Sequence, residues 1–450
     1  MTDCNKKLVL FSNLRRKQIA ADFHGGTITS DAGALLLREA DKNLGLTDAL
    51  NCVIPDPRDP RYTTHDQITL LRQRIFALAM GYEDVNDQQT LRDDPLMQVV
   101  TGRGIHREIP LASPPTICRL ENRIERQTLV DMSKVIVESF IASFDTPPKE
   151  LVLDFDATDD LVHGHQVGRF FHGYYDAYCF LPLYVFCGSQ LLCAYLRPSN
   201  IDAAKHSWAI LALLVKRFRQ VWPGVKIIFR GDSGFCRWRM LRWCERHDVN
   251  YLVGLAKNSR LLAQAQPLMT QAKEQFATTN EKQRHFGWLE YAAKSWDKNR
   301  RVIAKAEHDA KGTNPRFLVT TLNGDARKIY DEMYCARGDA ENRIKEQQLG
   351  LYADRTSCHD FEANQFRMLL SAAAYLLMDH LRRNALVGTE LATAQVSTIR
   401  LKLLKIGGRL VSSARRIILH LAGGYPLQEL FATIARRIAA QRIIVLPGST

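Results

Sequence analysis

LVLDFDATDD, residues 151–160, reads as a buried strand that ends in acids. Val152, Asp154 and Asp156 alternate onto one face of that strand, and Leu151, Leu153 and Phe155 onto the other. Asp154 and Asp156 are thus both candidates to face a site, and Asp156 lies nearer the strand end, where water and ligand have access. Asp159 and Asp160 fall in the turn that follows. A single aspartate after a strand is most often a turn or capping residue. Four acids within seven residues shift that balance, because crowded carboxylates repel one another unless a cation neutralises them.

Two further stretches repeat the theme. KIIFRGDSGF, residues 226–235, is again an apolar strand followed by an acid, Asp232, with Gly231 and Gly234 supplying a bend. Asp232 taken alone is a plausible turn residue. Arg237, Arg239, Arg242 and Arg246 follow directly, with Trp238 and Trp243 among them, a composition suited to gripping phosphate. YCARGDAENRIKE, residues 334–346, is polar and helix-favouring. At about 100° per residue, Tyr334, Arg337, Glu341, Lys345 and Gln348 fall within an arc of roughly 80°. A solvated, salt-bridged helix face accounts equally well for the Arg337–Glu341 spacing. Gly338 in mid-helix costs about 1 kcal/mol relative to alanine, which favours a packing or functional reason for it.

Three carboxylates far apart in sequence and gathered by a fold suit hard divalent cations. Mg²⁺ takes one or two carboxylates and completes its shell with water and substrate phosphate. Two such ions roughly 3.5–4 Å apart clamp both oxygens of an in-line phosphoryl displacement. Asp156, Asp232 and Glu341 are accordingly assigned as catalytic residues and as ligands to two Mg²⁺ ions, with Mn²⁺ able to substitute. His163 and His165 are set aside as ligands, since no further Cys or His has ligand spacing.

The bulk composition agrees with a polyanionic substrate. The 450 residues are 46% hydrophobic and 24% charged, which is ordinary for a globular chain of two to four domains. The net charge is +13. Residues 381–450 hold eleven Lys and Arg against Glu390 and Glu429, or 11 − 2 = +9 of that total. Such a basic region is an electrostatic footprint for nucleic acid. Arg415 and Arg416 lie in it, interleaved with Leu, Ile and Ala at helical spacing, so folded basic helices are expected. No apolar run is long enough to span a bilayer, and no apolar segment follows Lys6 and Lys7 as a leader would require. The ten cysteines form no CxxC pair and read as buried thiols of a reducing compartment, so a cytoplasmic protein is expected.

Along the chain, residues 1–147 read as mainly helical, and Thr146-Pro147-Pro148 is the clearest boundary. Beyond it, strands are expected at 151–157, 180–187, 191–196, 225–230 and 251–255, with helices at 202–220 and 236–247. That order, βββαβαβ, is the one found in ribonuclease-H-like domains. Residues 258–323 read as a β-rich insertion, 325–349 as a long helical stretch carrying Glu341, and 361–386 as a strong helix. The expected fold class is therefore α/β. A ribonuclease-H-like core spans 148–385, a mainly helical region spans 1–147, to which the resemblance given below assigns DNA binding and assembly, and a basic helical region spans 386–450.

With these contexts assembled, the chain resembles the DDE transposases of bacterial insertion sequences, specifically the thirteen-eighty group of the insertion-sequence-four clan. GGTITSDAGALLLREAD, QRIFALAMGYEDVNDQQTLRDDP and LASPPTICRLENR resemble the group's N-terminal blocks. LDFDATDD, HGYYDAYCFLPLYVF and RGDSGF resemble its catalytic blocks, and YCARGDAENRIKE the clan signature Tyr-x₂-Arg-x₃-Glu-x₆-Lys. The resemblance implies Asp156, Asp232 and Glu341 as the three acids, with Tyr334 and Arg337 handling the DNA end. Gln348 stands where the signature has Lys, and Lys345 on the same face is the nominated substitute. Arg237, Arg415 and Arg416 complete the expected DNA contacts. Trp288 and Trp296, in the insertion, are candidates to stack on a displaced base. The implied activity is Mg²⁺-dependent cut-and-paste transposition on double-stranded DNA, at terminal inverted repeats and at target, by a homodimer away from membranes. The rival readings are a non-catalytic DNA-binding remnant acting as repressor, against which the three acids argue, and a stand-alone endonuclease.

Overall fold

The computed structural model describes residues 8–105 and 109–446. Lys6 and Lys7 lie outside the described residues. The chain opens not with helix but with an antiparallel hairpin, β1 (Val9–Leu14) and β2 (Lys17–Ala21), followed by the short β3 (Ile28–Thr29). Leu8–Phe11 and Ile19 favour extended backbone, and Arg15 turns the hairpin at φ 56°; the mainly helical reading of residues 1–147 did not include these strands. Every residue of β1 and β2 is exposed.

Helices then dominate to residue 142. They are α1 (Ala34–Leu44), α2 (Leu46–Val53), α3 (Gln67–Met80), α4 (Gln88–Leu91), α5 (Pro95–Val100), α6 (Pro114–Asn122) and α7 (Arg126–Ala142). The capping chemistry is local: the Asp66 side chain accepts from Thr69 N at the start of α3, and Gly81 ends it at φ 95°.

A mixed sheet follows. Its strands are β4 (Glu150–Ala157), then β5 (Asp160–Leu161), β6 (Phe170–His172) and β7 (Ala177–Phe180) in a small side sheet, then β8 (Leu183–Cys187) and β9 (Gln190–Tyr195). After α8 (Ser207–Val221) come β10 (Lys226–Gly231), α9 (Trp238–Arg246), β11 (Asn250–Leu255) and α10 (Ser259–Thr279). β12 (Gln283–Tyr291), β13 (Arg300–Asp309), β14 (Gly312–Thr313) and β15 (Arg316–Thr320) close the series. The order across the sheet is β12-β13-β15-β11-β10-β4-β8-β9, with β14 beside β13. β4, β10 and β11 run parallel, and the other pairs are antiparallel. The strands expected in 258–323 are present, but they extend this sheet through β15 and do not stand apart from it. The 21-residue α10 was not foreseen; its Gln-rich sequence hides the buried positions Leu261, Ala265 and Ala272.

Residues 326–350 are helical throughout but unevenly wound. α11 (Ala326–Lys328) passes into a π-helical turn at Ile329–Tyr334, a 3₁₀ turn at Cys335–Arg337, α12 (Gly338–Lys345) and a second π-helical turn at Glu346–Gly350. α13 (Phe361–Asn384) is buried on all sides: 19 of its 24 residues are inaccessible, so it acts as an internal spine. It packs against α1, α3, α6 and α7, against β9, and against the C-terminal helix.

The C-terminal segment corrects another expectation. α14 (Val396–Ile399) and α15 (Gln428–Ala439) are helical, but β16 (Gly408–Ser412) and β17 (Ile417–Leu421) form a hairpin between them, and β16 also pairs β3. Val411, Ile417 and Ile418 are β-branched, and Ser413 N donates to Arg416 O (2.8 Å) to close the turn. Arg415 and Arg416 are therefore at a hairpin tip, not on a helix.

Three apolar clusters hold the molecule together. The largest joins α1–α3, α13 and the C-terminal segment with β8 and β9, so it draws on both sides of Thr146-Pro147-Pro148. A second lies between one face of the sheet (Leu151, Leu153, Phe155, Phe229) and α8 and α9. The third, on the opposite face, sets Ile228, Leu252, Ile303 and Leu318 under Ile329 and Tyr330. Residues 326–350 thus lie over the sheet face that carries Asp154 and Asp156.

Candidate active site

The period-2 alternation of β4 places Leu153 and Phe155 in the core beneath α8 and α9 and turns Asp154 and Asp156 to the other face. The parallel register then does the positioning. Gly231 of β10 is abreast of Phe155, so Asp232 and Asp156 follow side by side as both strands end. The Asp232 carboxylate accepts from Gly234 N (2.8 Å) and caps a 3₁₀ turn at Ser233–Phe235. Asp156 accepts from Ala157 N (2.9 Å) and from Arg337 Nη1 (3.2 Å). Arg337 Nη2 lies 2.6 Å from Glu341 Oε1 on α12. One guanidinium thus joins Asp156 to Glu341, with Asp232 beside them.

This gathering is written in the electrostatics of Asp156, whose side chain is only 15% exposed. Burial pushes its carboxyl up to about 7; Arg337 pulls against that, and the charges of Asp232 and Glu341 add to it. Burial also raises the Tyr334 phenol, which sits close to both Arg337 and Asp232. Glu341 is nearly half exposed and faces the open side.

Two residues escaped the sequence reading. Arg230 stands opposite Asp154 in the β10–β4 register and forms a buried ion pair with it, Nη2 to Oδ2 at 2.7 Å. Arg230 also donates to the Met333 carbonyl, which fastens the 326–350 stretch to the sheet. Asp154 is consequently a structural carboxylate, and the signal for it was a charged residue at the end of KIIFRG. Gly254 is the other. A Cβ there would lie 2.7 Å from Ser233 N and 2.8 Å from Tyr334 Oη, so this glycine lets the Asp232 turn and Tyr334 close up on β11. A lone glycine inside YLVGL was the available cue.

The remaining candidates are not drawn to the acids. Gln348 Nε2 donates to Asp159 O (2.9 Å) and to Asp160 Oδ1 (2.7 Å), and burial holds the Asp160 carboxyl well above its ordinary range. Gln348 therefore anchors the turn after β4. Lys345 is exposed and, among the described residues, has no side-chain partner. His165 Nδ1 pairs with Arg169 Nη2 at 2.9 Å. Arg237, at the start of α9, pairs with Asp202 at 2.5 Å. Trp288 is covered by Arg301, whose guanidinium carbon is 3.9 Å from the ring centre, and Trp296 packs against Tyr291. Of the C-terminal cations, Arg382, Arg383, Arg400, Lys405, Arg437 and Arg442 are engaged inside the protein. Arg415 and Arg416 are exposed, and their side chains have no partner among the described residues.

No group of three or more His, Cys, Asp or Glu side chains among the described residues is already arranged as a cation cage, because Asp156 and Glu341 are drawn onto Arg337. Their donor chemistry nonetheless fits a hard cation. The three acids are all oxygen donors, and beyond the effect of burial the charges of Asp232 and Glu341 add to the rise of the Asp156 carboxyl, negative charge that a cation would relieve.

Sequence comparison assigns the family. The family model described as "Transposase DDE domain group 1" matches residues 11–443, and the chain belongs to that family. Among solved structures, the chain is similar to a piggyBac transposase in a synaptic complex with hairpin DNA. Identity is 10%, the match covers 84% of this chain and 80% of that one, and the TM-score is 0.41. No curated protein matches the chain. Among the described residues, no helix is long and apolar enough to cross a membrane.

Proposed function

We propose that the chain is the transposase of a bacterial insertion sequence of the thirteen-eighty group, cutting and joining DNA at terminal inverted repeats by cut-and-paste transposition. The observation that carries this is the juxtaposition of Asp156 and Asp232 at neighbouring strand ends with the Arg337–Glu341 pair above them. The strand order β9-β8-β4-β10-β11, with β4, β10 and β11 parallel, supports a ribonuclease-H-like core.

In this reading Asp156, Asp232 and Glu341 would hold two Mg²⁺ ions. When bound, the ions would lower the pKa of a water and neutralise charge building on the scissile phosphate. The protein's own part is positioning. Arg337 exchanges one of its carboxylate partners for the phosphate, to which its planar fork offers two hydrogen bonds. Tyr334, held over the Asp232 turn, lines the same opening. The Arg230–Asp154 pair keeps the helical cover in register with the strand ends. Residues 1–147 and 386–450, with Arg415 and Arg416 at an exposed tip, grip the terminal repeats, and two copies bring two ends together.

The test is incubation of the full chain with a duplex carrying the element's end, Mg²⁺ and a supercoiled target, with the products resolved. Cleavage followed by joining is expected, and Asp232→Asn should abolish both while end binding persists. Cleavage without joining would identify an endonuclease instead. Binding without any cleavage by the unaltered chain would identify a DNA-binding remnant.

A further inference from the structure

A second feature lies apart from the three acids, on the side of the sheet that α8 and α9 cover. Between the start of α8 and the length of α9 runs an open groove of about 590 Å³, within the size range of ligand sites. Its floor is aromatic: Trp208 from α8, and Trp238 and Trp243 from α9. Arg239, Arg242 and Arg246, spaced along α9, line it. No carboxylate contributes to the lining. α9 begins three residues after the turn that Asp232 caps, so a short stretch of chain joins the groove to the candidate active site.

Trp208 is the telling residue. It is 52% exposed, belongs to no apolar cluster, and among the described residues stacks on no other ring and no cation. Trp243 is covered by His247 at 4.3 Å, and Trp238 lies beneath Arg239 and Arg242. An indole face left bare beside arginines has a specific complement. Unpaired nucleotides offer a flat base to the ring and a phosphate to the guanidinium, whereas duplex DNA keeps its base faces stacked and hidden. Arg242 already lies 3.6 Å from Asp297, but a purely apolar ligand would leave Arg239 and Arg246 unneutralised, and a simple anion would leave Trp208 idle.

We propose that this groove binds a single-stranded DNA segment, with Trp208 stacking on a base and Arg239, Arg242 and Arg246 holding its phosphates. The inference rests on the transposase reading for the source of that strand, which is the end opened at the acids. It also relocates the base-stacking role away from Trp288 and Trp296, whose rings are already covered.

The experiment measures binding of the full chain to a labelled single-stranded oligonucleotide, to the same sequence as blunt duplex, and to heparin. Trp208→Ala is expected to weaken single-strand binding roughly 5- to 150-fold, as for loss of one stacked base, with duplex and heparin binding changed less than about twofold. Trp208→Phe should restore most of the loss. Arg239→Ala with Arg242→Ala should lower the single-strand salt dependence by roughly 0.7 of a log unit for each phosphate no longer neutralised. Unchanged single-strand binding in Trp208→Ala, or an equal loss on heparin, which has charge but no bases, overturns the proposal. Binding is read without cleavage, so the two readings fail separately. An unaltered chain that cuts DNA ends, with Trp208→Ala still binding single strands normally, sinks the groove alone; a chain that cuts nothing, yet loses single-strand binding with Trp208, sinks the reaction alone.

Discussion

Arg337 sits 18% exposed between two acids, which removes it from the class of solvated surface pairs worth about 0–1 kcal/mol. If its fork is what meets the phosphate, lysine cannot replace it. Arg337→Lys should therefore slow cleavage by roughly 10- to 150-fold at saturating DNA, the equivalent of a charged hydrogen bond of about 1.5–3 kcal/mol. A parallel thermal melt should be nearly unchanged; a near-normal rate would remove Arg337 from the chemistry. Asp156 makes a prediction of the opposite kind. Its carboxyl ionises at 3.8 ordinarily and at about 7 in the fold, so folding takes up a proton between those values. The stability this confers is complete below pH 3.8 and lost as pH rises through about 7, up to about 4 kcal/mol in all. Without metal the protein should melt lower at pH 8 than at pH 6, and Asp156→Asn should flatten that difference. Mg²⁺ should raise the melt more at pH 8 than at pH 6. An identical pH dependence in the variant would contradict the assignment. At this scale the sequence was readable wherever one strand's alternation sufficed, as for Asp156 against Leu153 and Phe155. Arg230 opposite Asp154 was not, because the pairing needs the register of two strands 76 residues apart.

The element most misjudged from sequence is the hairpin at 408–421. ARRIILHL suits a basic helix by composition, but the β-branched Val411, Ile417 and Ile418 and the Ser413–Arg416 closure go with strand. The tip still presents two cations to solvent. Arg415→Ala with Arg416→Ala should flatten the salt dependence of duplex-end binding by roughly 0.9 of a log unit for each phosphate the tip had neutralised. An unchanged slope would make the tip a solvated surface. The 326–350 stretch shows why even helical spacing was only partly informative. The π-helical turn at Glu346–Gly350 breaks the 100° progression after Glu341, and Gln348 anchors Asp160. Arg337 and Glu341 remain one turn apart and stay paired. The close approach at Gly254 tests the whole assembly. Gly254→Ala should wedge Tyr334 from the Asp232 turn, costing cleavage at least tenfold, since roughly an ångström of misplacement is enough, while duplex-end binding persists. Normal cleavage would show that Tyr334 need not seat there.

At the scale of the molecule, the ends of the chain are sewn to each other. Ala32 N and Gly33 N donate to Ile406 O and Leu404 O, Asn43 Nδ2 to Ile438 O, and Ile444 N to Asn43 O. Lys405 reaches Asp31 at 2.7 Å, and Arg400 holds the Ala79 carbonyl. A Cβ at Gly33 would sit 2.0 Å from Leu403 O, against backbone that has nowhere to retreat. Gly33→Ala should thus destabilise by several kcal/mol, read as a lower melt, although the residue is far from the acids. Nothing in the sequence marks these closures, which join residues hundreds apart. Their consequence falls on the ribosome. The helices of residues 34–142 cannot complete their core until residues 396–446 have emerged, roughly 15–60 s later at about 5–20 residues per second. Nascent chains stalled short of residue 400 should be cut throughout by protease, where chains released at full length resist it. A prematurely ended chain would then be cleared as an unfolded fragment and would not persist as a half-protein occupying DNA ends it cannot cut.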